Sequence, residues 1–455
     1  MQMTFLSILV TTILTTSTTS PLLPEPVPVA TTAISLPQAG WTTGATGVLP
    51  DPHYTGNVTI NLATQGTYDP DRWCVILDYQ ALTIESNTVV TFLNHPSGAP
   101  VVIRSVGPIL IRGGLWVSGA DAHRSVDFPF YAVPGPGGFR GGIGQGVLPS
   151  GPNSAGFGPG GAFLSASSSY DGGFAAHVIG PNGAPSSTGL PGRPYDWVLH
   201  NALIGGSGGS GGRPTAGTVG AGGGAGGGAI LIGSDVSITF QHTAGTNVPS
   251  VIANGGRGTE NLNGGNSAAG PGSGGTIQLA APVVQVSGAN LSELRAVGGG
   301  SATTDVPGAA GLGYIRIETA SGVIPTFAAS PSPVASTLGD FLPPNSPSVA
   351  VYSWWNSSTA QWEPIPLDPR SRISSPTDAD VQLPASGSRI IRIRGRGVPI
   401  GAPIEVRTTF TRGNAVLDTT HTMGEDPSST LDTSWTDVTI DFSLGVSTVQ
   451  VRAVL

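Results

Sequence analysis

Ala229-Ile-Leu-Ile, Val236-Ser-Ile-Thr-Phe and Val251-Ile-Ala-Asn-Gly-Gly follow one another closely, three short apolar runs separated by breaks and closed by small residues. The same grammar recurs in Val101-Val-Ile-Arg-Ser with Ile109-Leu-Ile and Leu115-Trp-Val-Ser-Gly. It recurs again in Thr276-Ile-Gln-Leu-Ala with Val283-Val-Gln-Val and Glu293-Leu-Arg-Ala-Val-Gly-Gly, and Tyr314-Ile-Arg-Ile-Glu opens a fourth unit. A unit of such short strands cannot close its own core. Stacked on its neighbour it can, with strands pairing from coil to coil and inward Ile, Val and Leu forming continuous ladders. The units start at 101, 229, 276 and 314, so the last two intervals (47 and 38 residues) suit successive coils and the first (128) holds an insertion. The repeats predict an all-β chain whose residues 34–330 form an irregular right-handed parallel β-helix, a solenoid with glycine at its corners where the backbone needs positive φ. The competing fold is a large β-sandwich. It would call for Asn-Gly hairpins between alternating strands, whereas Asn182-Gly183 and Asn254-Gly255 stand beside further Gly or Pro.

The insertion, at about 121–228, contains Pro134-Gly-Pro-Gly-Gly-Phe-Arg-Gly-Gly, Gly156-Phe-Gly-Pro-Gly-Gly and the Gly/Ser/Ala run from Gly205 to Gly228. Gly/Ser tracts read by default as flexible linkers. The other reading is extended glycine-rich strands packed on the side of the repeats, possible because no side chain holds the backbones apart. Phe128, Phe130, Tyr131, Phe139, Phe163, Phe174, Tyr195 and Trp197 are spaced to pin such strands down and favour it. After residue 330 an Ala/Ser/Pro-rich stretch, 331–348, reads as a linker. From 349 to 455 the pattern alternates: Ile391 and Ile393 fall on one face, Arg392 and Arg394 on the other, and Ile404-Glu-Val-Arg, Val438-Thr-Ile-Asp-Phe and Val449-Gln-Val-Arg-Ala-Val behave likewise. Period two, apolar in and polar out, marks half-buried antiparallel strands, hence a small C-terminal β-sandwich.

Composition narrows the chemistry. The 455 residues include 69 Gly and 40 Pro, about a quarter of the chain, which a helical protein cannot carry. All 19 basic residues are Arg, so every lysine mechanism, P-loop or Schiff base, is excluded. A single Cys excludes an intrachain disulfide, a zinc ribbon and a redox pair. The net charge of −8, the pI near 5.3 and the scattered Arg argue against nucleic acid as a partner. At the N-terminus an apolar run from Phe5 to Leu14 precedes a Thr/Ser-rich and then Pro-rich stretch. The run matches the core of a secretory signal and is too short to span a bilayer. Residues 1–33 are thus read as a leader with a Thr/Pro-rich linker, and the protein as secreted or held at the cell surface.

Few motifs carry catalysis. Gly-x-Ser-x-Gly occurs around Ser207 and Ser210, but a nucleophile elbow needs a strand before the Ser and a helix after it, which poly-Gly does not supply. Glycan-cleaving β-helices need paired carboxylates about 5–10 Å apart. The acids from Asp127 to Asp340 are isolated in sequence, so only stacking of distant coils would pair them. His53, His95, His123, His177, His200, His242 and His421 show no metal-ligand spacing, and Cys74 lies in the apolar Trp73-Cys-Val-Ile-Leu as a small hydrophobe. No cofactor, metal or catalytic residue is assigned. One cluster suggests binding: in Tyr352-Ser-Trp354-Trp355-Asn a strand would send Trp354 and Trp355 to opposite faces, and Trp362 follows. An exposed Trp stacks on a sugar or on a protein partner; otherwise one fills the core and the other packs on the preceding domain.

Ile109-Leu-Ile-Arg-Gly-Gly-Leu-Trp-Val-Ser-Gly, the 134–142 tract, the poly-Gly run into Ala229-Ile-Leu-Ile, Gly313-Tyr-Ile-Arg-Ile-Glu and the closing segments from Gly397 to Ala453 together resemble glycine-rich exported proteins, of uncharacterised role, from bacteria with large GC-rich genomes. The likeness covers roughly 75–455. It implies a β-helical exported scaffold and brings no catalytic residues. The expected function is therefore a non-enzymatic structural or cell-surface scaffold, with cell-surface components or glycans as partners. The alternatives are a polysaccharide-degrading β-helix enzyme, lyase or hydrolase, and a glycan-binding adhesin acting through Trp354, Trp355 and Trp362.

Overall fold

The computed structural model describes residues 4–8, 10–11, 41–122, 132–142, 156–158, 160–162, 203–212, 222–258, 269–288, 290–300, 310–342, 348–365, 381–383, 387–410, 416–425, 433–442 and 447–453. Among the described residues almost all regular structure is β, the exception being a single turn of helix at Leu62–Gln65. Three sheets built mainly of parallel pairs occupy residues 53–337. The first contains, in spatial order from one end, Thr67–Asp69, Cys74–Tyr79, Val101–Ser105, Ala229–Ser234, Thr276–Ala280, Tyr314–Thr319 and Val334–Thr337. The second contains His53–Tyr54, Leu82–Ile84, Ile109–Ile111, Ser237–His242 and Val283–Gly288. The third contains Val58–Asn61, Val89–Leu93, Gly114–Trp116, Ser250–Ile252, Glu293–Arg295 and Ala328–Ser330. From residue 74 to residue 319 the chain visits the sheets in turn and returns to the first one strand further along; the last turn passes from Tyr314–Thr319 straight to Ala328–Ser330 of the third sheet.

Register lines up identical chemistry. Val75, Val101, Ile230, Ile277 and Ile315 form one ladder in the first sheet, and Leu77, Ile103, Ile232, Leu279 and Ile317 a second. Ile84, Ile111 and Phe240 continue the pattern in the second sheet, and Val90, Leu115, Val251 and Leu294 in the third. These side chains are nearly all fully buried in one core, and each contributes about 1.5–3 kcal/mol of transfer free energy. The second sheet keeps one polar face, so Ser237–His242 alternates half-exposed and buried. The first sheet is covered on both faces, and Ala229–Ser234 is buried throughout. That difference is why 229–232 reads as an unbroken apolar run.

The glycine tracts leave the third sheet and return to the first as a bundle of extended segments joined through their backbones. The 222–228 segment displays its logic. The amides of Gly223 and Gly226 donate to the carbonyls of Gly142 and Phe139; those of Gly224 and Gly227 to Gly270 and Ser273; those of Ala225 and Gly228 to Ala120 and Val117. Residues three apart share a neighbour, so this chain turns once every three residues, as in a polyproline II helix, and bonds three different segments in rotation. Gly206 and Gly209 repeat the pattern toward Gly227 and Gly224. Positive φ was expected of the glycines at the corners of the repeats, and close backbone packing of those in the insertion. The tract glycines 205, 206, 208, 209, 223, 224 and 226–228 all lie outside the positive-φ region. They are required because a Cβ would strike a neighbouring backbone. The described parts of the insertion are thus ordered; of the aromatics proposed to pin it, only Phe139 is among the described residues, buried beside Trp73.

Residues 348–453 form two further sheets, mainly antiparallel. One orders Val381–Leu383, Thr4–Ile8, Ser447–Ala453, Pro403–Phe410 and Val416–Thr422. The other orders Val10–Thr11, Ser348–Asn356, Ser388–Arg396, Thr433–Asp441 and Gly424–Glu425, with Gln361–Pro364 paired on Ser348–Asn356. Their inner residues, among them Val351, Ile391, Ile393, Val406, Ile440, Val449 and Val451, share a second core. Part of the run read as a leader, Thr4–Ile8 and Val10–Thr11, is strand here, and residues 12–33 lie outside the described residues. The linker expected at 331–348 needs correction: Val334–Thr337 is a strand of the first sheet, and Leu338 and Phe341 are buried against that sheet. Ala/Ser-rich composition hid this strand because its pairing is made by backbone groups.

Candidate functional site

Strand parity separates the three tryptophans singled out in the sequence. Trp354, opposite Ile391, points inward and is buried in the C-terminal core. Trp355, opposite Trp362, lies on the outer face, where the two rings meet edge to face with centroids 5.4 Å apart. A register shift between Val351 and Ser353 places Tyr352 on the outside as well, 42% exposed. Arg392 and Arg394 emerge on the same face from the alternation of 388–396. The Arg392 guanidinium carbon sits 3.7 Å from the ring centroids of both Trp362 and Trp435. Its Nε and Nη2 donate to the two carboxylate oxygens of Asp437 at 2.8 and 2.9 Å. Arg394 lies over Tyr352 at 5.0 Å.

The face is therefore a cation held between two indoles and neutralised by a bidentate carboxylate, bordered by Tyr352 and Trp355. Such an arrangement offers flat apolar rings with a neutral, hydrogen-bonded centre, the surface that stacks on a sugar ring or another protein. Reading single strands missed Trp435 and Asp437. Their signal was the alternation of Thr433–Asp441, but their partnership with Arg392 depends on which strand lies next to it.

The other sequence candidates, and two further carboxylates, Asp78 and Glu85, are held in structural contacts. Ser207 and Ser210 are buried within the glycine bundle, and the Ser207 hydroxyl accepts from the Gly160 amide at 2.9 Å. Cys74 is buried, and burial pushes its thiol up to about 12. Asp78 accepts from Thr46, the Gly47 amide and Arg104. Burial alone would raise its carboxyl, but these donors outweigh burial and hold it below the usual range. Glu85 bridges His53 at 2.6 Å and Arg112 at 3.1 Å, and these contacts, His53 first, lower it. Glu318 pairs with Arg316 at 2.6 Å. His95 stacks on Tyr68 with centroids 4.5 Å apart, His242 approaches the Thr246 carbonyl at 3.2 Å, and His421 the Thr419 hydroxyl at 2.9 Å. His123, His177 and His200 lie outside the described residues. Among the described residues no group of three or more His, Cys, Asp or Glu is placed to hold a metal, and no helix is long and apolar enough to cross a membrane. No protein-family model, no curated protein and no solved structure matches the chain.

Proposed function

We propose that the protein is an exported, non-enzymatic scaffold: a right-handed parallel β-helix stiffened by its glycine bundle, followed by a β-sandwich that serves attachment. The observation that carries this reading is the set of apolar ladders running through three parallel sheets, accompanied by carboxylates tied to arginines and backbone amides. A stack of that kind supplies length and rigidity. Fractionation of producing cells tests it: the protein is expected outside the cytoplasm. A cytoplasmic protein overturns the exported reading, and release of new chain ends from acidic or neutral polysaccharides overturns the non-enzymatic one in favour of a polysaccharide-degrading enzyme.

The aromatic face favours a second reading, a glycan-binding adhesin. Trp355→Ala and Trp362→Ala are expected to abolish binding on a glycan array with the fold intact. Trp354→Ala would be uninformative, since it opens a hole in the core. Equal binding by wild type and both outer-face variants removes this reading.

A further inference from the structure

The outer face of the first sheet carries an apolar patch, Cys74, Val102, Ala229, Leu231 and Ala280, whose side chains point away from the ladders and are still buried. Leu203 of the glycine-rich region packs on this patch, and so do two segments from opposite ends of the stack. Residues 41–49 precede the first strand, and residues 338–342 follow the last.

Residues 41–49 run across the strands. At one end Leu49 forms a parallel bridge to Tyr79, and its amide donates to the Asp78 carbonyl at 2.8 Å. The Asp78 carboxylate accepts from the Thr46 hydroxyl at 2.8 Å and the Gly47 amide at 3.0 Å, with Arg104 at 2.7 Å on its other side. Asp235, just past the strand two places along the sheet, accepts from the Thr43 amide at 2.6 Å, the Thr43 hydroxyl at 2.8 Å and the Thr42 hydroxyl at 3.0 Å. Two strand spacings of about 4.8 Å match the roughly 10 Å that three extended residues cover from Thr43 to Thr46. At the far end Trp41 Nε1 donates to the Gly339 carbonyl at 2.7 Å, and its ring meets Phe341 edge-on at 6.2 Å. Phe341 in turn lies on Gly233, where any Cβ would enter its ring. The entering arm thus meets the leaving arm over the middle strand of the sheet.

A stack whose units touch only their neighbours gains stability from nearest-neighbour contacts and opens from its ends. A tie between the ends changes that. We propose that residues 41–49 and 338–342 form a clasp which couples the first coil to the last, so that residues 49–337 open as one unit instead of fraying coil by coil. Two carboxylates, on different coils, fix the path of one arm; one aromatic pair joins it to the other.

Native-state hydrogen exchange on the full chain tests the clasp with one substitution in each arm. Trp41→Ala is expected to speed exchange at 314–337, and Phe341→Ala at 53–61, each by about two- to tenfold, the range of one aromatic pair. Amides of 388–396, in the separate core, serve as the reference and are expected to stay unchanged. Acceleration confined to the substituted arm, or none at either end, overturns the proposal. Should either variant fail to fold, Thr43→Val puts a methyl in place of the hydroxyl that donates to Asp235 and accepts from the Ala45 amide, and is expected to accelerate both ends in the same sense; acceleration limited to 41–49 again overturns it.

Discussion

A methyl group added at Gly226 would fall 1.8 Å from the carbonyl oxygen of Gly206, whereas one added at Gly56 would meet nothing within 4 Å. The same substitution therefore has opposite consequences at two positions that the sequence does not distinguish. Gly226→Ala forces backbones apart and is expected to cost about 3 kcal/mol, at the upper end of overpacking effects. Gly56→Ala restricts only the unfolded chain and is expected to stabilise by about 0.4–1 kcal/mol; denaturant melts of both variants give the comparison. Cys74 makes a second prediction. Burial places its thiol at about 12, so at pH 8 the native protein should scarcely react with a thiol reagent, and the unfolded protein should react with one equivalent. That Cys74 is a buried hydrophobe was legible from its apolar neighbours. That the tract backbones approach closely was one of two readings the sequence offered; which backbone meets which was not legible, because the colliding atom at Gly226 belongs to a residue twenty positions away.

Strand alternation placed Arg392 and Arg394 outside and Ile391 and Ile393 inside, and the structure agrees. What alternation lacks is the identity of the neighbour. Arg392→Ala removes the cation from between Trp362 and Trp435 and leaves Asp437 without its bidentate partner, an expected loss of about 2 kcal/mol. Arg392→Lys keeps the charge but not the plane and is expected to lose about half as much. Tryptophan fluorescence reports the melt, since four of the eight Trp lie at 354, 355, 362 and 435. In the first sheet, the depressed carboxyl of Asp78 adds stability that is present above the unfolded value, about 3.9, and is lost as pH falls through its lower folded value. Asp78→Asn should accordingly reduce stability at pH 7 and flatten the loss on acidification, measured by melts between pH 7 and 2. The arm that binds Asp78, residues 41–49, carries Thr and Gly in no strand-like pattern. It is recognised only by the carboxylates it meets.

The described residues hold one core inside the three parallel sheets and another between the C-terminal pair, beside smaller buried clusters such as the one on the outer face of the first sheet. Arg396 reaches from the second region to Asp71 and to the Pro70 carbonyl, the latter at 2.8 Å. Both charged groups are exposed, so Arg396→Ala is expected to change stability by less than about 1 kcal/mol, as separate denaturant transitions of the two cores would reveal. From composition and repeats alone the chain was bound to be β-rich and without lysine chemistry, and strands were predicted to begin at 101, 229, 276 and 314, where they do. These properties are local: short apolar runs and glycine breaks leave a chain few other ways to bury its Ile, Val and Leu. Tertiary structure alone decided that glycine tracts bond three neighbours in rotation, that Trp354 and Trp355 part company, and that residues 41–49 meet 338–342. Each of those depends on contacts between segments far apart in sequence, and pairing made by backbone amides and carbonyls leaves no mark on the side chains that a sequence records.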